Sequence, residues 1–308
     1  MKSSLPVSLK GHDLLRIGDL VPAEAEAVLD LAALLKRDRT PRLPGLTLGL
    51  YFDQPSTRTR ISFAVAATQL GGGYVVLSPQ EMQLSRGESL GDTARVLSRY
   101  LDVLAIRVLS HELLASWAEA ADIPVVNALT AVEHPCQALA DALTIRERFG
   151  SLEGVRVAWV GDGSNVLVSL AHLAALTGMQ LIAACPPGYE PPQGTPLELV
   201  RDPREAANGA DVLVTDIWVS LGQEAERERR LRDLVAYRVD AALLALAAPE
   251  AIVLHCLPAH PGEEIAPEVL YGPQAAVWDE AENRLHVEKA LLVLLSGDPA
   301  LQLDDAST

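Results

Sequence analysis

Short apolar runs alternate along this chain with segments of helical apolar spacing. That alternation constrains the fold strongly, because parallel strands need a crossover connection, usually a helix, between each pair. The runs at 47–52, 74–77, 103–107 and 124–127 read as strands in the first half, and those at 155–161, 181–184, 212–215 and 251–255 in the second. Between them the spacing predicts helices over 22–37, 57–70, 89–100, from 110, from 135, over 165–177 and over 288–296. The expected class is α/β, with two domains, each a central and mostly parallel sheet flanked by helices. A length of 308 residues and an apolar share of 49 % suffice for two cores. The boundary is expected near Phe149-Gly150-Ser151, giving domains 1–150 and 151–287, with a C-terminal helix of about 288–308 packing back on the first.

The loop after the first strand carries Pro55-Ser56-Thr57-Arg58-Thr59-Arg60, so the next helix opens with three hydroxyls and two guanidiniums. A helix N-terminus already favours an anion through its unpaired N–H groups and its dipole. Hydroxyl donors and the planar fork of Arg turn such an end into a phosphate site. The plainer alternative, a Ser56 cap with two solvated arginines, needs only one of those hydroxyls. Charge sharpens the argument. With 41 acidic against 25 basic residues the chain carries −16, which speaks against nucleic acid or an anionic membrane as partner. Any anion site must therefore concentrate its cations locally. None of the four lysines follows a Gly-rich loop, which excludes a P-loop nucleotide site.

Other chemistry-bearing residues fall at the carboxyl ends of expected strands, where open α/β sheets bind ligands. Arg107 ends the third strand, and a surface arginine at a strand exit is the competing reading. His134 and Gln137 flank a helix start at Pro135. There a His can donate to a carbonyl oxygen and a Gln amide can donate and accept; a capped helix with a half-buried His is the alternative. Asp216, just past 212–215, can hold an ammonium and Ser220 can meet a carboxylate, or the stretch is a loop capped by Ser220. Cys256 closes the strand at 251–255 as a nucleophile, a proton shuttle or small buried filler.

Gly161-Asp162-Gly163 is a weak dinucleotide fingerprint: Val166 stands at the third glycine position and Cys185-Pro186-Pro187 where an acidic residue is required, so NAD is not expected. Cys136, Cys185 and Cys256 are far apart, with no CxxC or Cys/His cluster. Neither a disulfide framework nor a metal is expected, and the setting is read as reducing and cytoplasmic. No signal peptide or membrane span is read, since the apolar run at 290–295 is too short to cross a bilayer.

Taken in order, nine segments resemble the aspartate/ornithine carbamoyltransferase family over nearly the whole chain. They are Ser56-Thr57-Arg58-Thr59-Arg60, Asp92-Thr93-Ala94-Arg95-Val96-Leu97, Arg107, His134-Pro135-Cys136-Gln137, Gly161-Asp162-Gly163-Ser164-Asn165, Asp216-Ile217-Trp218, Ser220-Leu221-Gly222, His255-Cys256-Leu257-Pro258 and Glu280-Ala281-Glu282-Asn283-Arg284. The resemblance implies a first domain for carbamoyl phosphate, a second for the amine acceptor, and assembly as homotrimers or multiples of trimers. It implies that Ser56, Thr57, Arg58, Thr59 and Arg107 hold the phosphate, while Thr59, Arg107 and His134 polarise the carbamoyl oxygen. Gln137 and the Leu257 carbonyl, next to Cys256, would take the carbamoyl amine. Arg284 would add a contact, and Gln83 looks like a residue lent to a neighbouring subunit's site. Asn165, Asp216, Ser220 and Leu221 match positions that bind the α-amino and carboxylate groups of L-ornithine, with Cys256 and Asp216 steering its δ-amine. No metal or organic cofactor is implied.

The implied reaction is transfer of the carbamoyl group to the δ-amine, giving L-citrulline and phosphate. An aspartate acceptor would call for His-Pro-Leu-Pro and arginines for two carboxylates, and putrescine would leave Asn165 and Ser220-Leu221-Gly222 without a purpose. The pattern also admits an acylornithine acceptor or a non-catalytic paralogue; intact Arg58, Arg107, His134 and Cys256 speak against the paralogue. Gln54 stands where family members often carry a Lys, and 186–210, with six prolines, is shorter than is usual for ornithine enzymes.

Overall fold

The computed structural model describes residues 8–220 and 222–297. Leu221 and residues 298–308, the end of the expected C-terminal helix, lie outside the described residues. By Cα proximity the chain divides into a unit of residues up to 139 together with those from 284, and a second unit of 140–283.

The first unit opens with α1 (Pro22–Arg37), which starts on Pro22, the position where a missing N–H costs nothing. Glu24 reaches back to accept the Val21 N–H at 2.8 Å, and Ala25, Val28, Leu29, Ala32 and Leu35 bury one face. Then follow β1 (Thr47–Phe52), α2 (Arg58–Gln69), β2 (Gly73–Leu77), α3 (Leu90–Leu97), β3 (Val103–Arg107), α4 (His111–Ala120), β4 (Val125–Leu129) and the first turn of α5 (Pro135–Phe149), whose residues from Ala140 belong to the second unit. The four strands form a parallel sheet ordered β2-β1-β3-β4. Its inner strands are buried on both faces and so read as continuous apolar runs, whereas edge strand β2 leaves Tyr74, Val75 and Val76 exposed. Strand order reverses between β1 and β3, and there Phe52 lies in register with Arg107.

The second unit repeats the architecture with β5 (Arg156–Val160), α6 (Asn165–Thr177), β6 (Gln180–Ala184), β7 (Glu198–Val200), α7 (Pro203–Ala207), β8 (Val212–Thr215), α8 (Arg227–Leu234), α9 (Ala241–Leu244), β9 (Ile252–His255) and α10 (Pro267–Leu270). Its five parallel strands are ordered β7-β6-β5-β8-β9, so the reversal falls between β5 and β8. Val160, Leu213, Tyr237, Val253, Ile265 and Val277 share one core. The proline-rich stretch 186–210 yields only β7 and the short α7.

The last helix differs from expectation. α11 runs Val277–Ser296, well before the expected start at 288. Apolar spacing missed its first turns because Glu280, Asn283 and Arg284 are polar and yet buried, each bound to a specific partner. The expected helix at 89–100 likewise closes early, at Leu97, where the chain tightens into i→i+3 turns at Arg99 and Tyr100.

Candidate functional site

In the first unit the chain leaves β1 at Phe52, and the Asp53 N–H donates to the Arg107 carbonyl at 3.1 Å. Burial pushes the Asp53 carboxyl up, while Gln54 and Arg107 pull it back. The chain then enters α2 through Ser56 and Thr57. The Thr57 side chain makes no capping bond, so its hydroxyl is not consumed in closing the helix. Thr57 and Arg60 are exposed, Ser56 and Arg58 half-buried, and Thr59 buried.

Arg284, from α11, organises the buried end of this cluster. Its Nη2 donates to Thr59 Oγ1 and its Nη1 to Gln137 Oε1, both at 2.8 Å. Thr59 therefore accepts from Arg284 and keeps its own O–H proton to donate elsewhere, and the Gln137 oxygen has two lone pairs with which to accept. His134 caps α5, its carbonyl accepting the Gln137 N–H at 3.0 Å. Burial pushes the His134 imidazole well down, and the guanidiniums of Arg284, Arg107 and Arg58 push it further. Its ring is thus a neutral donor ringed by three cations. Gln83 is different: it sits exposed on a 3-10 turn over Gln83–Arg86, and no hydrogen bond joins its side chain to this cluster among the described residues.

In the second unit β8 pairs with β9 through Thr215 and His255, so Asp216 and Cys256 leave the sheet side by side. Asp216 is buried. Its Oδ1 accepts the Ile217 N–H at 2.7 Å and the Cys256 thiol at 3.0 Å, and its Oδ2 accepts the Ser164 hydroxyl at 3.1 Å. Ser164 precedes α6 yet spends its hydroxyl on Asp216 instead of capping the helix. The turn before it excludes any side chain at Gly163, where a Cβ would fall 2.3 Å from the Pro191 nitrogen. Burial and the Asp216 charge push the Cys256 thiol well up. With its thiol donating to Asp216, Cys256 stands in this structure as a neutral donor. Cys136 and Cys185 are pushed up to about 12, chiefly by burial.

Leu257 follows with φ +54, a left-handed backbone that a leucine adopts only when its surroundings enforce it. Its N–H donates to His255 Nδ1 at 2.9 Å, which leaves the Nε2–H of His255 for Glu264 at 3.1 Å. His255 is held in turn by its own N–H, which donates to Glu280 Oε2 at 2.8 Å. His260, Glu263 and Glu264 bring ligand-type atoms within 4.8 Å of one another. Glu264 is engaged by His255 and the His260 N–H, and Glu263 by Arg227, so the trio braces this turn.

Asn165 opens α6, half-buried. Ser220 donates its N–H to Gln223 Oε1 at 3.0 Å, and Leu221, the remaining expected ornithine residue, lies outside the described residues. Sequence reasoning missed Arg230, which ties this region together. Buried on α8, it pairs with Asp162, donates to the Trp218 carbonyl and lies 4.9 Å over the Tyr189 ring. Burial raises Asp162 to about 6 against the pull of Arg230, with Asp216 adding to the rise. Within Arg227-Glu228-Arg229-Arg230 the one available signal was Leu234, one turn on and buried on the same face.

The aspartate/ornithine carbamoyltransferase carbamoyl-P binding domain matches residues 12–147, and the Asp/Orn binding domain of the same family matches 153–295. An ornithine carbamoyltransferase of Gloeobacter violaceus is 51 % identical over 311 residues, covering 96 % of this chain and 99 % of that protein. One from Acidothermus cellulolyticus is 53 % identical over 293 residues, covering 90 % of this chain and 94 % of the relative. Among solved structures, ornithine carbamoyltransferase from Pyrococcus furiosus superposes with a TM-score of 0.90 at 44 % identity, covering 94 % of this chain and 99 % of that one. The Thermus thermophilus enzyme gives 0.86 at 46 % identity, covering 92 % and 98 %. No helix among the described residues is long and apolar enough to cross a membrane.

Proposed function

Because the chain belongs to the aspartate/ornithine carbamoyltransferase family, we propose that it transfers the carbamoyl group of carbamoyl phosphate to the δ-amine of L-ornithine, forming L-citrulline and phosphate. The observation that carries the acceptor reading is Asp216, a buried carboxylate held, among the described residues, by the neutral donors Ile217 N–H, Ser164 and Cys256. A carboxylate whose hydrogen-bond donors are neutral offers a ligand ammonium a charge-assisted bond.

The phosphate takes the first turn of α2 with Ser56, Thr57, Arg58 and Arg107. The Thr59 hydroxyl, Arg107 and neutral His134 donate to the carbamoyl oxygen, where negative charge grows as the amine attacks. The Gln137 and Leu257 carbonyl oxygens accept from the carbamoyl amine. Asn165, Ser220 and Leu221 take the α-amino and carboxylate groups of ornithine, and Cys256 with Asp216 steers the δ-amine. An alkyl ammonium like that of lysine has a pKa of about 10.4, so the attacking form is the minor neutral amine. Its nitrogen bonds to the carbamoyl carbon as the carbon–oxygen bond to phosphate breaks, and its proton leaves on the departing phosphate. No protein base is needed. Donors preorganised around the carbamoyl oxygen supply several kcal/mol of transition-state stabilisation.

The subunit interface that homotrimeric assembly, or a multiple of it, requires is supported by Tyr74, Val75, Val76, Val96 and Tyr100, large hydrophobic residues exposed on the first unit. In such an assembly Gln83 reaches a neighbouring subunit. Three free thiols fit a reducing cytoplasm, and the citrulline formed places the reaction in arginine metabolism. Colorimetric assay of citrulline with carbamoyl phosphate and ornithine, acetylornithine, putrescine or aspartate tests the reading. Turnover with ornithine alone is expected; turnover with none of the four amines overturns it.

A further inference from the structure

We propose that Glu288 is a positioning residue that holds Arg284 for carbamoyl phosphate and couples the binding of that substrate to uptake of a proton. The inference rests on the reading that the first unit binds carbamoyl phosphate beside Arg284. Glu288 lies one turn beyond Arg284 on α11 and is fully buried. Its Oε1 accepts Arg284 Nη2 at 3.2 Å, the same nitrogen that donates to Thr59 Oγ1. Its Oε2 is buried without a hydrogen-bond partner among the described residues.

Few groups face this carboxyl among the described residues. From its own helix comes Arg284; from α2 the Ser62 hydroxyl, which steadies the charge but donates to the Thr59 carbonyl at 3.2 Å; and from the start of α5 the Cys136 thiol, which Glu288 helps push up. The neighbouring Lys289 is spent elsewhere, on the Leu35 carbonyl at 2.6 Å. Arg284 is thus the cation that faces Glu288 among the described residues. Burial raises the Glu288 carboxyl to about 7, against the pull of Arg284 and Ser62.

An anion bound beside Arg284 competes for the same guanidinium. The carboxylate then loses part of its counter-charge, its proton affinity rises, and a proton is taken up on binding. The sign follows from linkage: a carboxyl whose pKa is higher in the complex makes binding tighter as pH falls through that value and weaker as it rises. If binding adds one further unit, affinity weakens roughly tenfold from the acid to the alkaline side of the window. His134, pushed well down by burial and the guanidiniums of Arg284, Arg107 and Arg58, responds at more acid pH.

Calorimetric titration of the full-length protein with carbamoyl phosphate, from pH 6 to 8 in two buffers of different ionisation enthalpy, counts the protons. Uptake is expected near neutral pH in the native protein, and Glu288→Gln should remove it and flatten the pH dependence of Kd. Ser62→Ala, which spares the carboxyl and covers the case in which Glu288→Gln does not fold, should move the uptake window to higher pH. Equal proton counts in native protein and Glu288→Gln, or an unmoved window in Ser62→Ala, overturn the inference and leave the phosphate site standing. A Glu288→Gln protein weakened equally at every pH, with its proton count intact, marks a structural role only and also overturns it. Failure of carbamoyl phosphate to bind the native protein removes the site reading and this inference with it.

Discussion

In the first unit strand order reverses between β1 and β3, and Arg58 and Arg107 leave the sheet there, with His134 and Arg284 in the same electrostatic neighbourhood. In the second it reverses between β5 and β8, and the residues that follow those strands are Asp162, Ser164 and Asp216. The two sheets are built alike and reverse their strand order at equivalent places, yet the loops there carry opposite charge. Sheet topology decides where a site can be; the loops decide what it attracts. The means also differ. Around His134 burial first, and then the three guanidiniums, push the imidazole well down, so positive charge rests on guanidiniums that no pH near neutrality can discharge. Around Asp216 the hydrogen-bond donors are neutral, while the second carboxylate, Asp162, is paired with Arg230.

If the first unit works through preorganised cationic donors, removing one should be the most damaging single change. Arg107→Ala is expected to lower kcat for citrulline formation by about 10²–10³-fold, the loss typical of one oxyanion donor. A variant with native kcat would break the contrast between the units. The second unit's charge is tested by Asp216→Asn, which replaces one charged hydrogen-bond acceptor. A loss of roughly 10–10²-fold in kcat/KM for ornithine is expected, with the Kd for carbamoyl phosphate unchanged in equilibrium dialysis. A matching loss of carbamoyl phosphate affinity would mean that the charges are not divided between the units as described. The smallest effect concerns Cys256. Because burial and Asp216 push its thiol up, thiolate grows only as pH climbs, and alkylation by iodoacetamide should still be accelerating at pH 9 to 10, where a free cysteine has levelled off. Mass-spectrometric labelling rates check this, and early levelling would restore the thiolate reading.

Much of the architecture was legible because it is written locally. Each inner strand is buried on both faces and so shows as an unbroken apolar run, and Ser56, Arg58, Arg107 and Asp216 announce themselves by standing at the ends of such runs. α11 was cut short for the converse reason: its first turns are buried by hydrogen bonding and not by apolar spacing. Arg230 and Glu288 likewise look like ordinary helix-surface charges in the sequence and are buried in the fold.

The sequence by itself therefore determined the α/β class, the strands, and which residue types stand at each strand end, since periodicity and chain order are properties of neighbours. Tertiary structure alone decided that Arg284 meets Thr59 across 225 residues and Gln137 across 147, and that the Cys256 thiol donates a hydrogen bond to Asp216 across 40. Proton affinity depends on burial and on charges brought close by folding, and distance along the chain records neither.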